Sequence, residues 1–386
     1  MSASESDSSL FSGGLPRAGA SALPTGILPV QAIREMLRNH EIQAMREVEA
    51  DQLQPASLDL RLGKTAWRVR ASFLPGPRAT VMQRVEQLDG YPIDLSGGAV
   101  LERGCVYVVQ LQESLTLKSG IAGFANPKST TGRLDILTRL ITDHSGHFDV
   151  VPLVYSGPLF AEITPRTFSV VVREGQRLNQ LRFRRGYPVM GQEKLQQLHA
   201  AGKLVVDGGE PALREKLVPV TIDLEGQNRG ALIGFRAKKH TDRIDLGRIG
   251  HYDPLDFWEP LYRHREPTLV LDPDDFYILA TRESVRIPPD LAAEMVAYDT
   301  AVGEFRVHYA GFFDPGFGWD AESRAVLEVR SHEVPFVLEH GQTIGWLHYE
   351  RMAHEPERLY GTGMKSNYQG QGLMLAKQFR PLAPPG

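Results

Sequence analysis

Apolar and polar residues alternate in short runs along most of the chain. The runs CVYVVQL, FSVVV, FYILA and PFVLEH begin at residues 105, 168, 276 and 335, and Gly, Pro, Asp or Asn separates such runs. This pattern predicts the strands of an all-β barrel or sandwich rather than a βαβ sheet. The predicted helices are short, and the first of them lies in LPVQAIREMLRN, where apolar residues recur at helical spacing.

The chain contains an internal repeat. The sequences of residues 111–132 and 161–183 return as residues 281–302 and 327–349. In this alignment Glu113 corresponds to Glu283, and Glu162 corresponds to Glu328. A weaker match places QPASLDLRLG, near residue 54, over VPVTIDLEGQ, near residue 218. Self-similarity of this kind predicts two copies of one β-rich unit.

The predicted fold class is therefore mainly β, with two tandem units and short helices, and a chain of 386 residues is long enough for two domains. Residues 1–25 are rich in Ser, Gly, Ala and Pro and are predicted to be disordered. We predict the first unit at residues 26–183, a linker or arm at 184–216, and the second unit at 217–386, ending in a glycine-rich flap.

Composition limits the possible partners. The net charge of −4 provides no global basic field for nucleic acid or an anionic membrane, so an anionic ligand requires a local basic pocket. The single cysteine, Cys105, excludes an internal disulfide and a zinc site with two or three thiolates. No apolar run approaches the roughly 20 residues that span a bilayer. The N-terminus lacks the features of a signal peptide, and we expect a cytoplasmic protein.

One polar turn, PKSTTGR, differs between the two copies, although the residues around it match. Its charged and hydroxyl side chains are Lys128, Ser129, Thr130, Thr131 and Arg133. Arginine can hold two phosphate oxygens at once, and a turn adds backbone N–H groups that bind anions. The second copy has AYDTAVG instead, which favours phosphate binding over a merely solvated turn. As a turn residue, Arg133 is expected at the surface.

Glu162 and Glu328 each lie among apolar strand-forming residues. A carboxyl in such a strand either faces solvent or is buried with a raised pKa and a role in proton transfer. Its presence at the same place in both copies favours the second interpretation. Before Glu328, FFDPGFGW predicts a hairpin turn containing Asp314. After it, YGTGMKSNYQGQG predicts either a disordered tail or a flap that closes over a ligand.

These motifs together resemble the dCTP deaminase branch of the trimeric dUTPase-like family. The resemblance rests on QPASLDLRLG, PKSTTGR, the glutamate after YSGPLFA, DPGFGW, GQTIGWLHYE and KSNYQGQG, and it covers most of residues 27–375. It implies distorted β-barrels of jelly-roll type and homo-oligomers with active sites between units. It also implies hydrolytic deamination of dCTP to dUTP without a catalytic metal, with Mg²⁺ accompanying the triphosphate.

The resemblance also implies roles for individual residues. The turn, with Ser129 and Arg133, holds the phosphates and helps to position the reactive water. The hairpin with Asp314 recognises the sugar and the base, and the strand glutamate is the general acid/base. The remaining residues implied to bind substrate are Lys128, Thr130 and Thr131 in the turn and Tyr360, Lys365, Tyr368 and Gln369 in the tail.

Two arrangements of the site are open, because neither copy carries every motif. A composite site combines the turn of the first copy with the hairpin, Glu328 and the tail of the second copy. In the alternative site, Glu162 is catalytic and the second copy is a scaffold. The function also has alternatives. These are a dUTPase, a bifunctional dCTP deaminase and dUTP diphosphatase, and a non-catalytic nucleotide-binding regulator.

Overall fold

The fold is known from a computed structural model, which describes residues 24–206, 213–226, 232–296, 305–308, 311–331, 333–361 and 370–382. Residues 1–23, most of the segment predicted to be disordered, lie outside this part of the chain. So do Lys365, Tyr368 and Gln369 of the predicted flap.

Strands predominate in the first half of the chain, with short helices between them. The helices are α1 (Val30–Arg38), α2 (Val81–Gln87) and α3 (Ser129–Gly132). The strands are β1 (Gly26–Ile27), β2 (Ile42–Ala44), β3 (Leu58–Val69), β4 (Tyr91–Asp94), β5 (Ala99–Leu101), β6 (Val106–Thr116), β7 (Ile121–Pro127), β8 (Ile136–Thr142), β9 (Val150–Val151), β10 (Ser156–Pro165), β11 (Val170–Val172) and β12 (Arg177–Arg185).

The second half repeats this composition. Its helices are α4 (Gln192–Ala200) and α5 (Pro254–Phe257). Its strands are β13 (Val205–Val206), β14 (Leu217–Thr221), β15 (Leu232–Ala237), β16 (Ile244–Asp245), β17 (Trp258–Tyr262), β18 (Thr268–Leu271), β19 (Tyr277–Val285), β20 (Leu291–Val296), β21 (Phe305–His308), β22 (Phe312–Phe313), β23 (Arg324–Ser331), β24 (Phe336–Glu339) and β25 (Thr343–Arg351). None of the helices in the described ranges has the length and apolar character to cross a membrane.

The strand pairings repeat between the two units. In the first unit the main antiparallel sheet has the order β8-β10-β6-β3-β12-β7-β9. In the second unit the corresponding strands form two sheets, β17-β15-β19-β23-β21 and β14-β25-β20-β22. Strand β10 lies between β6 and β8 as β23 lies between β19 and β21. The prediction of a mainly β fold with two repeated barrel-like units is confirmed.

Two buried glutamates support the repeat alignment. The Glu113 carboxylate accepts the backbone N–H of Arg61 at 2.8 Å, and the Glu283 carboxylate accepts that of Thr221 at 2.8 Å. Both glutamates are fully buried, so each needs such a partner. The same residue type therefore fastens β6 to β3 in one unit and β19 to β14 in the other.

The weaker match near residues 54 and 218 is wrong by four positions. It placed Leu58 over Ile222. In the structure Leu58 pairs with Leu181, and Val218 pairs with Leu347, which is the counterpart of Leu181. Leu58 therefore occupies the place of Val218. Because side chains in a strand alternate with a period of two, an even shift keeps the apolar pattern and escapes notice in the sequence.

The segment predicted to be a linker is packed with the second unit. Leu195 of α4 and Val205 of β13 are buried in the second hydrophobic core. Strand β13 pairs with β19 as β2 pairs with β6. The limits of the two units that were predicted from the sequence stay a prediction.

The two units share part of one core. Phe168 of the first unit makes edge-to-face contacts with Phe257 and Trp258 of the second, at ring-centroid distances of 5.8 and 5.4 Å. Strand β16 of the second unit also pairs in parallel with β11 of the first. These contacts hold the faces of the two units together at one side of the molecule.

The described end of the predicted flap is also packed. Leu375, Ala376 and Phe379 are buried in the core that the two units share. The Phe379 ring lies 5.5 Å from that of Phe257 and 6.0 Å from that of Trp258. The apolar residues that follow the glycine run anchor this segment, residues 370–382, which we call the C-terminal segment.

We expect Phe379→Ala to lower the free energy of unfolding by about 3–5 kcal/mol, since it empties a buried aromatic site. Met374→Ala is the matched control in the same segment. Met374 is 44% exposed, so its loss should cost within about 0.5 kcal/mol. Urea unfolding followed by tryptophan fluorescence measures both, and equal small losses would show that the segment does not anchor here.

Candidate active site

A cavity of about 700 Å³ lies between the two units. Strand β12 and the polar turn line it from the first unit, and the hairpin and β23 line it from the second. The predicted site residues that line it are Lys128, Ser129, Thr130, Thr131, Arg133, Asp314, Glu328 and Tyr360. The structure therefore brings the turn of the first copy together with the hairpin and the glutamate of the second.

The polar turn is a single helical turn, α3, that follows β7. The backbone N–H groups of Gly132 and Arg133 donate to the carbonyls of Lys128 and Ser129 at 3.0 Å. The Thr131 hydroxyl donates to the carbonyl of Leu178 in β12 at 2.8 Å. Because these bonds fix the backbone, the positions of the turn's side chains are largely set before a ligand arrives.

Arg133 is buried, although a surface position was expected from the sequence. Only 2% of its surface is exposed. Its guanidinium donates from Nη1 to the Met374 carbonyl at 3.0 Å and from Nη2 to the Gln371 side-chain oxygen at 2.9 Å. Both acceptors belong to the C-terminal segment, which is more than 230 residues away in sequence and covers the turn. The turn would be solvated in isolation, and the C-terminal segment that packs against it buries Arg133.

Lys128 forms an ion pair with Asp59 of β3. The Asp59 side chain is 3% exposed and lines the cavity. The motif QPASLDLRLG contains Asp59, but no role was predicted for Asp59 from the sequence. Asp59 pairs with Gln180, and the position that corresponds to it in the second unit is Pro219, opposite Trp346. The carboxylate is thus specific to the unit that carries the polar turn.

The hairpin carboxylate, Asp314, is held by Arg182 of the first unit. Arg182 Nη2 lies 3.1 Å from Asp314 Oδ1, and Nη1 donates to the Ala293 carbonyl at 3.2 Å. The Arg182 guanidinium also lies 4.0 Å from the centre of the Phe312 ring. Burial raises the pKa of Asp314, while the charge of Arg182 opposes the rise. Arg182 was not predicted from the sequence, because it is one of several charged residues in the same strand.

Glu328 lies in β23 and is 6% exposed. Burial raises the pKa of Glu328 to about 8, because the protein around it solvates the carboxylate poorly. The positive charge of Arg133 opposes this rise, and the negative charge of Asp135 adds to it. A carboxyl group in this state can take up and release a proton near neutral pH.

A buried ion pair crosses from one unit to the other beside Glu328. Arg330 of β23 pairs with Asp135, which follows the polar turn. Arg330 also lies 3.0 Å from the hydroxyl of Thr167, and that hydroxyl donates to Asp135 at 2.5 Å. The two charged residues are 4% and 1% exposed. The pair therefore fixes the turn against β23.

Glu162 lies elsewhere, in the first unit. It does not line the cavity. Its Oε1 accepts from Arg139 of the neighbouring strand β8, at 3.2 Å from Nε and 2.5 Å from Nη2. The Arg139 guanidinium in turn lies 3.6 Å from the centre of the Phe148 ring. The structure thus separates Glu162 from the polar turn and gives it a permanent positive partner.

Tyr360 marks the start of the predicted flap. Its ring packs at 5.5 Å from that of Phe317, and its N–H donates to the Pro315 carbonyl at 2.8 Å. These contacts attach this end of the flap to the hairpin that contains Asp314. The other end continues into the C-terminal segment, so the predicted flap is attached on both sides of the cavity.

Fold and cavity define a two-unit, mainly β protein with clustered cations and a buried carboxyl between its units. A family model described as 2'-deoxycytidine 5'-triphosphate deaminase, N-terminal domain, matches residues 24–187, and the C-terminal domain of the same family matches residues 191–379. The crystal structure of 2'-deoxycytidine 5'-triphosphate deaminase from Agrobacterium tumefaciens is similar at 52% identity and a TM-score of 0.82, over 86% of this chain and 100% of that chain. The chain belongs to the dCTP deaminase family, a family of enzymes.

More distant relatives match shorter stretches. The dUMP-forming dCTP deaminase of Nocardia farcinica is 31% identical over 180 residues, which are 45% of this chain and 81% of that protein. The protein of the same name from Beutenbergia cavernae is 31% identical over 134 residues, which are 34% of this chain and 62% of that protein. Each match is about as long as one unit of this chain or shorter.

We expect Arg330→Met to destabilise the protein by about 3–5 kcal/mol, because it removes the positive charge that is paired with the buried Asp135. Arg46→Met is the matched control. Arg46 is 66% exposed and pairs with Glu174 at 2.7 Å, and such surface pairs contribute about 0.2–1 kcal/mol. Urea unfolding measures both variants. A small loss for Arg330→Met would show that the charged pair does not hold the units together.

Burial of Glu328 also predicts a pH dependence of stability. The pKa of Glu328 is raised from an ordinary 4.5 to about 8, so above pH 4.5 unfolding releases a proton from this group. Its contribution to stability is therefore full below pH 4.5 and is lost as the pH rises to about 8. Glu328→Gln should gain stability relative to the wild type between pH 5 and pH 8. Glu339→Gln, at an exposed position, should not, and an equal response of both variants would contradict the burial effect.

Proposed function

We propose that this enzyme deaminates dCTP hydrolytically to dUTP and ammonia, with Glu328 as the general acid/base. The observation that carries the proposal is a buried carboxyl with a pKa of about 8 in the same cavity as the polar turn with Lys128 and Arg133. Such a pKa is near the working pH, where a group serves both as base and as acid. Membership of the dCTP deaminase family supports the choice of substrate.

The proposed reaction balances without an added cofactor. Ionised Glu328 takes a proton from water as the water oxygen bonds to C4 of the cytosine ring. The protonated carboxyl then gives this proton to the amino group at C4, and the C–N bond breaks as ammonia leaves. The electron pair that water addition placed on N3 re-forms the N3–C4 double bond, and the proton of the new C4 hydroxyl moves to N3 to give the keto ring of dUTP. Zinc deaminases activate water with a His/Cys/Cys set, and this chain has only one cysteine. The hydroxyl of Ser129 and the guanidinium of Arg133 are the donors proposed to position the water.

The triphosphate is proposed to lie along the polar turn. Lys128 and Arg133 supply positive charge there, and the hydroxyls of Ser129 and Thr130 supply donors. The Thr131 hydroxyl already donates to the Leu178 carbonyl, so it is not proposed as a phosphate donor. The hairpin with Asp314 is proposed to contact the sugar and the base. The ion pair with Arg182 supports this role, because it holds the hairpin in one position against β12.

Mg²⁺ is proposed to bind through the triphosphate. Among the residues that the structure describes, no group of three His, Cys, Asp or Glu side chains is placed to hold a metal ion. Asp59, a carboxylate beside the turn, is already paired with Lys128. Mg²⁺ usually keeps several waters and takes substrate phosphates as ligands, which suits this donor set.

The identity of the product is the finer part of the proposal. Cleavage of dUTP to dUMP needs a carboxylate that orients water towards the α-phosphate. In the cavity, Asp59 and Asp314 are paired with Lys128 and Arg182, whereas Glu328 has no ion pair within the described chain. This charge pattern favours release of dUTP. The alternative, further hydrolysis to dUMP, is favoured by the names of the relatives from Nocardia farcinica and Beutenbergia cavernae.

The site is proposed to form within a single chain. The turn and the glutamate belong to different units, yet both line the same cavity of one chain. Assembly into a homo-oligomer is a separate prediction from the family resemblance. It would add protomers around a site whose main parts one chain already supplies.

The test compares two matched substitutions, Glu328→Gln and Glu162→Gln. Gln keeps the shape of the side chain but cannot accept a proton. We expect Glu328→Gln to lower kcat by about 10²–10⁴-fold with KM little changed, as for loss of a general acid/base. Glu162→Gln should keep kcat within about threefold, because Glu162 lies outside the cavity. Ammonia release from dCTP measures both.

Product analysis on the wild type decides between the alternatives. Ammonia with dUTP supports the proposal, and ammonia with dUMP and pyrophosphate supports the bifunctional alternative. A loss of turnover in Glu162→Gln alone would move the chemistry to the first unit. If the wild type binds dCTP but releases no ammonia, the protein is a nucleotide-binding regulator.

A further inference from the structure

Lys377 is a cation of the cavity to which the sequence assigned no role. It lies in the C-terminal segment and lines the cavity with Lys128 and Arg177. Its backbone is fixed on both sides. The Gly250 N–H donates to the Lys377 carbonyl at 2.9 Å, and the His251 N–H donates to the carbonyl of the next residue at 2.8 Å. These bonds fix the backbone from which the Lys377 side chain extends.

Its ammonium group has no partner among the described residues. Neither a hydrogen bond nor an ion pair to the Lys377 side chain is present there, although the side chain is half-buried. Burial and then the charge of Lys128 lower the pKa of Lys377, with a further contribution from Arg177. Asp59 is the carboxylate that opposes this effect, and Lys128 already pairs with it. Arg177 is likewise paired, with Glu49 and Asp51, so Lys377 differs from its two neighbours in having no carboxylate partner within the described chain. A half-buried cation of this kind is unfavourable until an anion joins it.

Different charged groups act on Glu328 and on Lys377. The charged groups that act on Glu328 are Arg133 and Asp135. Those that act on Lys377 are Lys128, Asp59 and Arg177. The two sets have no member in common, although Glu328 and Lys377 both line the cavity. A nucleotide with its base near Glu328 and its phosphates along the turn would therefore extend its outer phosphates towards Lys377.

We propose that Lys377 is a ligand of the outer phosphates of the nucleoside triphosphate. The proposal rests on the proposed function for the nature of the nucleotide. It gives the C-terminal segment a direct role in substrate binding in addition to its packing. A purely structural role for the ammonium is disfavoured, since it contacts no group of the described protein that it could hold in place.

Three variants test the proposal in the full-length chain. Lys377→Met removes the charge and keeps the stem, and Lys377→Arg keeps the charge. Lys118→Met is the matched control, because Lys118 is 64% exposed, pairs with Glu41 and lies outside the cavity. Lys377→Met should raise KM for dCTP by about 10–100-fold, as expected for a lost charge-assisted contact. Its kcat should stay within about threefold, Lys377→Arg should recover most of the affinity, and Lys118→Met should change neither.

Calorimetric binding of inorganic tripolyphosphate gives a second readout that needs no turnover. Lys377→Met should weaken this binding by a factor similar to the rise in KM. The proposal is overturned if tripolyphosphate binding is unchanged, if the wild type does not bind it, if kcat falls with KM constant, or if arginine fails to restore affinity. If the wild type releases no ammonia from dCTP, the proposed function fails. The tripolyphosphate experiment still decides the role of Lys377.

Discussion

The ion pair between Asp135 and Arg330 is the contact on which the geometry of the cavity most depends. Asp135 follows Arg133 by two residues, and Arg330 follows Glu328 by two residues in a strand. Residues two apart in a strand share a face, so Arg330 and Glu328 point towards the same side of β23. One buried pair therefore sets where the turn of the first unit stands relative to the glutamate of the second. Because a lone buried charge is costly, the two units favour this one register.

The same scaffold gives its two equivalent glutamates opposite properties. Glu162 and Glu328 hold the same place in the repeated sheets, yet the cross-strand position opposite Glu162 is Arg139, which pairs with it. That partner holds one oxygen of Glu162 in a direct ion pair. The positive charge that acts on Glu328 is that of Arg133, from the other unit, and burial raises the pKa of Glu328 to about 8. Equivalent places in the two units therefore hold an ion-paired carboxylate and a desolvated carboxyl.

The sequence predicted the repeated β-rich units and eight of the residues that line the cavity, because both are encoded locally. Strand alternation and the repeat were sufficient to pair Glu113 with Glu283, whereas the same alternation concealed a four-residue error near residue 54. What could not be predicted depends on contacts between distant parts of the chain. Arg133 was expected at the surface because nothing near it in sequence indicates that residues 371 and 374 cover it. Asp59, Arg182 and Arg330 likewise acquire their roles only from partners that are distant in the sequence.

The cations of the cavity differ in which protein contacts they must share or lose when an anion binds. Arg133 already donates to Gln371 and to the Met374 carbonyl, so a phosphate must either share these donors or displace the acceptors. Lys128 must share its charge with Asp59. Lys377 has no such partner within the described chain, and phosphate binding there breaks no protein contact. Gln371 and Lys377 belong to one anchored segment, so a shift in the position of one residue also shifts the other. A nucleotide that contacts both Arg133 and Lys377 thus binds to the turn and to the C-terminal segment together. The enclosure of the triphosphate is then coupled to the position of the Arg133 guanidinium beside Glu328.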